Sequence, residues 1–290
     1  MNEPRYLLIS PDGMLGRAWA EHLDANGRHW HGVVYPEIDF GMRASVDRAV
    51  ADDISIVINC SAWTDVDGAE QREADAEQIN ATGVGWLAER CRDVGAKLVH
   101  YSTDYVFDGN NTVPYHVDQP LAPISAYGRT KAHGETAIAA SGCDCLIVRT
   151  SWLYAPWANN FVRTMIRLMG QKDQLRVVDD QRGRPTSAQH LAATTLALLD
   201  AGASGVLHVT DGGECTWYGF AREIARLIGA ACAVEPCSSE EFERPAKRPA
   251  YSVLDIEPAE KIVGAMPPWT DNLAAVVEQI DRDALQTNSK

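Results

Sequence analysis

Residues 5–16 read Arg5-Tyr6-Leu7-Leu8-Ile9-Ser10-Pro11-Asp12-Gly13-Met14-Leu15-Gly16, an apolar run broken by a turn and followed at once by an amphipathic stretch. The run from Arg5 to Ile9 predicts a strand. Met14 to Ala25 predicts a helix, because Leu15, Ala18, Trp19, His22 and Leu23 recur on one face at the helical period. A strand that passes through such a turn into a helix sets backbone N–H groups and the positive helix end where they can hold a pyrophosphate. Gly13 would let phosphates approach and Gly16 would let helix and strand pack. Ser10 stands where the first glycine of the three-glycine pattern is expected.

Outward from this stretch, strand-length apolar runs follow at Val33 to Tyr35, Ile54 to Asn59, Lys97 to Ser102 and Cys145 to Arg149, with helical patterns between them. Strands that are apolar throughout, in βαβα order, predict a parallel sheet covered on both faces, which is an α/β, doubly wound Rossmann-type fold. Ligands of that fold sit at the carboxyl ends of the strands. After Arg149 the pattern changes. A helix is predicted near Phe161 to Met169, a strand at Leu175 to Val178, a helix over Thr186 to Ala201 and a strand over Gly205 to Thr210. From Trp217 onward, helices mix with the proline-rich stretch Pro236 to Pro249. The expected organisation is an NAD(P)-binding domain over residues 1–150, to which 186–212 return, and a smaller, partly interleaved substrate domain made of 151–185 and 213–290.

Charge narrows the partners. Lys and Arg number 26 against 40 Asp and Glu, a net −14 that repels phosphate backbones and anionic lipid, so neither nucleic acid nor a membrane is expected as a partner. An anionic ligand then needs basic residues gathered locally. Arg244, Lys247 and Arg248, set among prolines, are one such island and suit a diphosphate, though a solvated loop explains them equally. The seven cysteines include no CxxC pair and the eight histidines no HExxH, which reads as reduced thiols and no assigned metal. With no signal-peptide pattern and no apolar span of membrane length, a soluble cytoplasmic protein is expected.

Chemistry concentrates in Tyr127-Gly128-Arg129-Thr130-Lys131, preceded by Ser102-Thr103-Asp104-Tyr105-Val106-Phe107 at a strand end. Tyr127 and Lys131, four apart, share a helical face. An ammonium beside a phenol favours the phenolate, which is expected to bring Tyr127 down toward the range where it exchanges a proton. The same amine can reach ribose hydroxyls. A hydroxyl of Thr103 or Ser102 would hydrogen-bond a carbonyl oxygen that gains negative charge as hydride arrives. Beyond Val33-Val34-Tyr35 stands Pro36-Glu37 rather than a strand-end Asp for a ribose 2′-hydroxyl, so the cofactor is NADPH or NADH, with strict NAD use disfavoured. His100, on a strand, reads as a satisfied core residue.

Together these motifs resemble the extended short-chain dehydrogenase/reductase superfamily, and within it the dTDP-4-dehydrorhamnose reductase family. The resemblance is carried by Asn59-Cys60-Ser61-Ala62-Trp63-Thr64-Asp65-Val66-Asp67, Asn80, Ser102 to Gly109, Tyr127 with Lys131, Arg149 to Tyr154, Asp180 to Thr186 and Arg248 to Asp255. It implies NAD(P)H-dependent reduction of the C4 ketone of a nucleotide sugar, dTDP-4-dehydro-L-rhamnose, and a homodimer. It also implies that Gly13, Met14, Leu15 and Gly16 line the cofactor pyrophosphate, that Asp39, Ser61 and Ala62 belong to the cofactor site, and that Asn80 supports the lysine network. Thr103, Tyr127 and Lys131 would form the catalytic set, with Tyr127 and Lys131 also touching the cofactor. Thr103, Asp104, Tyr105, Trp152 and Arg248 would face the substrate. Dehydratases of the superfamily carry Asp-Glu after the catalytic Thr; here Tyr105 follows Asp104, which leaves reduction rather than elimination. Two alternatives remain: reduction of another 4-keto-6-deoxy nucleotide sugar, and a non-catalytic NADP-binding subunit like the regulatory subunit of methionine adenosyltransferase, which looks like the same family.

Overall fold

The computed structural model describes residues 4–287. Strands β1 (Tyr6–Ile9), β2 (Trp30–Val33), β3 (Ile56–Asn59), β4 (Lys97–Thr103) and β5 (Cys145–Thr150) join Gly205–His208 in one six-stranded sheet. From one edge the order is Gly205–His208, β5, β4, β3, β1, β2, and every neighbouring pair is parallel. The chain leaves β1 for β2 on one side and then crosses to β3 on the other. That reversal opens a crevice at the carboxyl ends of β1 and β3.

Why the strands are apolar throughout is visible in β1. Tyr6 and Leu8 alternate into the layer holding Trp19, Leu23 and Leu191, whereas Leu7 and Ile9 enter the opposite layer with Val46, Leu87 and Cys91. Each face is covered by helices, so neither parity can be polar. The helix Ala188–Asp200 packs in the first of these layers, and Gly205–His208 after it pairs with β5. A third cluster, with Tyr154, Val162, Met165, Leu175, Val177 and Phe220, forms away from the sheet. There Gln174–Val178 pairs in parallel with Ala233–Cys237.

One strand differs from expectation. β2 lies at Trp30–Val33, not Val33 to Tyr35, because it is an edge strand of which only Val33 is buried, and Tyr35 is exposed. Similarly, Thr186–Ser187 form a short bridge to Leu153–Tyr154 before the helix begins at Ala188. No helix among the described residues is long and apolar enough to cross a membrane.

Candidate active site

The turn after β1 brings its functional backbone to the crevice. Ser10 adopts φ 59°, the left-handed region in which glycine is least strained, so the serine occupies a conformation better suited to the glycine expected there. Helix α1 (Met14–Ala25) starts at Gly13 with no side-chain cap, leaving the first N–H groups of Met14, Leu15 and Gly16 free of a side-chain acceptor. A Cβ on Gly16 would run into the carbonyl oxygen of Ser10, so helix and turn close only over glycine. Asp39 lies further along, its carboxylate accepting the Gly41 N–H at 2.8 Å in a local turn.

The helix Ala126–Ser141 carries the phenol and the amine. Its first N–H groups are satisfied from two sides: Ser125 Oγ accepts from Gly128, and Glu70 Oε1 accepts from Ala126 at 2.7 Å. Gly128 lets the helix lie against the Tyr105 carbonyl, where a Cβ would not fit. Below, Glu135 pairs with Arg149 of β5 at 2.7 Å and accepts from Ser102 of β4, all of them buried. This pair fixes the helix to the sheet at the level of the active residues.

At the end of β4, Thr103 Oγ1 donates to Asp104 Oδ1 at 3.0 Å and accepts the Tyr105 N–H at 3.2 Å. The Tyr127 phenol lies near Thr103, whose hydroxyl favours the phenolate. Asp104 is 2% exposed, and its second carboxyl oxygen has no hydrogen-bond partner among the described residues. Burial pushes the Asp104 carboxyl up to about 7. Burial also pushes the Tyr127 phenol up to about 12, with Thr103 opposing the change and Asp104 adding to it. The expected lowering by Lys131 is therefore not found. Its amine is turned to other partners: Nζ donates to the Tyr101 carbonyl at 2.6 Å and stands 3.1 Å from His100 Nε2. Burial brings Lys131 down to about 8.

Asn80 also departs from the reading. Its amide is spent on both backbone groups of Trp63 and on Thr130 Oγ1, so it pins the Ser61–Trp63 segment to the helix rather than touching the lysine. The lysine's side-chain neighbour is His100, which in turn faces Asn59. His100 is indeed buried and partnered, but its partner is Lys131. Ser61 and Ala62, half-buried, continue from Asn59 at the carboxyl end of β3.

Beside these groups lies a cavity of about 720 Å³ whose lining includes Arg244, Lys247 and Arg248, the carboxylates Glu240 and Glu243, and the apolar Phe161, Met165 and Trp217. Arg248 and Arg244 both bond the Asp67 carboxylate, at 3.0 and 3.3 Å, and Arg248 lies near the Tyr105 phenol. Tyr105 meets Tyr127 edge to face at 6.0 Å. Trp217 carries no motif that marks it in the sequence; Trp152 stacks on its indole at 3.7 Å and so supports the wall of the cavity. Asn160 caps the helix Phe161–Met169 through the Arg163 N–H, which employs its amide locally.

The profile of the RmlD substrate binding domain family matches residues 5–282. A dTDP-4-dehydrorhamnose reductase of Streptomyces griseus is 44% identical over 260 residues, covering 87% of this chain and 86% of that one. A dTDP-4-keto-6-deoxy-D-glucose reductase of Streptomyces niveus is 40% identical over 285 residues, covering 96% and 98%. Among solved structures, the dTDP-4-dehydrorhamnose reductase of Bacillus anthracis in complex with NADP is similar at a TM-score of 0.92 and 34% identity, covering 96% of this chain and all of that one (100%).

Proposed function

The chain belongs to the RmlD substrate binding domain family, and from that premise we propose that it reduces the C4 ketone of dTDP-4-dehydro-L-rhamnose to dTDP-L-rhamnose with NADPH or NADH. It is an oxidoreductase of the dTDP-4-dehydrorhamnose reductase type. The observation that carries the reading is the placement of Tyr127 beside Thr103 at the end of β4, next to a cavity whose lining includes Arg244, Lys247 and Arg248.

The residues present fit a dinucleotide: an uncapped helix start at Gly13 and a turn that Gly16 alone allows to close. When bound, the reduced nicotinamide supplies the hydride. Gly13, Met14, Leu15 and Gly16 would meet the pyrophosphate, Ser61 and Ala62 the nicotinamide half, and Lys131 the ribose. Tyr127 acts as the acid. A phenol with a pKa near 12 keeps its proton at neutral pH, as a donor to a nascent alkoxide must. The ketone oxygen would accept that proton. Thr103 then stands between the phenolate and Asp104, whose carboxyl holds a proton near neutrality and can return one through the hydroxyl. Arg248 and Arg244, with Lys247, would hold the diphosphate, and the aromatic wall at Trp217 and Phe161 the apolar faces of the nucleoside or sugar.

We extend the proposal to the division of labour along the chain: residues 1–150 and 186–212 for the cofactor, 151–185 and 213–290 for the nucleotide sugar. A homodimer in the cytoplasm belongs to the same reading, and size-exclusion chromatography should report two chains per particle. The deciding experiment mixes the protein with NADPH and the ketosugar nucleotide and follows nicotinamide absorbance. Tyr127→Phe should lower kcat by about 10²–10⁴-fold while NADPH still binds. Undiminished turnover in that variant would remove Tyr127 from the mechanism. A panel including dTDP-4-keto-6-deoxy-D-glucose decides the sugar, since the Streptomyces niveus relative is named for that substrate.

A further inference from the structure

Asn59, His100 and Lys131 form a buried chain whose hydrogen positions follow from one backbone group. The Ser61 N–H donates to Asn59 Oδ1 at 3.0 Å, which fixes the orientation of the amide and leaves its Nδ2 facing His100 Nδ1 at 3.1 Å. An amide nitrogen only donates, so His100 Nδ1 must accept. Burial first, and the neighbouring lysine second, hold His100 well below its ordinary value, so the ring is neutral and its single proton sits on Nε2. That N–H is directed at Lys131 Nζ, 3.1 Å away, while Nζ itself donates to the Tyr101 carbonyl. An ammonium has donors and no acceptor; a free amine has a lone pair. Only the free amine satisfies both neighbours.

We propose that Asn59 and His100 are positioning residues that keep Lys131 as a free amine in the resting site, and that cofactor binding, by drawing Nζ to the ribose hydroxyls, loads it with a proton from solvent. This rests on the reading of Lys131 as the ribose-binding lysine. The other groups around it are accounted for. Glu135, one turn along the same helix, favours the ammonium, but its carboxylate is shared with Arg149 of β5 and Ser102 of β4. Tyr127 on that helix is protonated, and the Tyr101 side chain points to the other layer of the sheet, where its hydroxyl meets Trp19. Burial of the amine acts in the same direction as His100, bringing it to about 8.

The test is calorimetric titration of NADPH into the protein at pH 8.5, in two buffers of different ionisation enthalpy, which counts protons taken up on binding. The wild type should take up well over half a proton per cofactor. In Asn59→Asp the carboxylate accepts the Nδ1–H of His100, so Nε2 becomes an acceptor and Lys131 rests as the ammonium. Uptake should fall to near zero, and the alkaline limb of kcat/KM should move up by about one pH unit. His100→Phe, which removes the Nε2–H without adding a charge, should at least halve the uptake and keeps the idea testable if the aspartate variant does not fold. A purely structural role would lower affinity or melting temperature and leave the proton count alone. NADPH binding with no uptake in the wild type, or with equal uptake in a folded variant, overturns the inference. Failure to bind NADPH at all overturns the cofactor reading beneath it.

Discussion

Replacing Asp104 with asparagine should make the protein more stable at alkaline pH and less active. The carboxyl is 2% exposed and is moved by burial from an ordinary value of 3.8 to about 7. Because the folded value lies above the unfolded one, the folded state binds this proton more tightly. The associated stability is complete below about pH 4 and is lost as pH rises through about 7. At 1.36 kcal/mol per decade, the wild type forgoes about 4 kcal/mol at pH 8.5 and about 1 kcal/mol at pH 4.5. A neutral amide in that place carries no such cost. Allowing about 1 kcal/mol for a weaker bond from Thr103, Asp104→Asn should gain about 3 kcal/mol at pH 8.5 and about nothing at pH 4.5. Urea melts at the two pH values measure this, with steady-state rates alongside. Parallel stability curves for the two proteins, with no dependence of their difference on pH, would refute the claim that Asp104 is held as a strained, proton-binding group.

Other consequences follow from the same geometry. Gly16→Ala drives a methyl group into the Ser10 carbonyl; a loss of about 1–3 kcal/mol in urea and weakened NADPH binding by fluorescence titration are expected. Glu135→Ala leaves Arg149 buried without its partner, which should cost about 3–5 kcal/mol in a thermal or urea melt. Arg248→Ala removes a cation from the cavity rim and should raise KM for the nucleotide sugar about 10–100-fold with kcat much less affected, as steady-state kinetics would report.

What could be read in the sequence tracks what is local. β1, β3, β4 and β5 are buried on both faces, so composition alone marks them, whereas the edge strand Trp30-His31-Gly32-Val33 is half solvated and carries no such mark. Tyr127 and Lys131 declare themselves because their relation is set within one helix. The neighbours of that pair do not, since they depend on register between strands. Asn59 and His100 stand opposite one another in the β3–β4 ladder, forty-one positions apart in sequence. Alternation along β4 places His100 and Ser102 on the face against which the helix Ala126–Ser141 packs. The expected role of Asn80 failed for a related reason: the Trp63 backbone returns close enough to consume its amide.

The cavity poses a charge problem that the fold resolves in advance. An acidic chain of net −14 lowers the local concentration of any anionic ligand, so cations at the rim must more than offset the surrounding field. Unpaired, Arg244 and Arg248 would repel one another and sample many conformers. Asp67 prevents this: it accepts from both guanidinium groups and from the Ala246 N–H. Burial opposes its ionisation, yet bonds from Arg248, Ala246 and Arg244 hold the carboxyl below its ordinary range, so it remains charged. The rim is thereby ordered before a ligand arrives, which lowers the entropic cost of binding. The same carboxylate also neutralises part of the charge it organises. A diphosphate therefore binds where an arginine donor is not already spent on Asp67, and Lys247 supplies a further cation on that rim. Preorganisation of the arginines thus comes at the expense of raw attraction, a balance suited to an enzyme that must release its product.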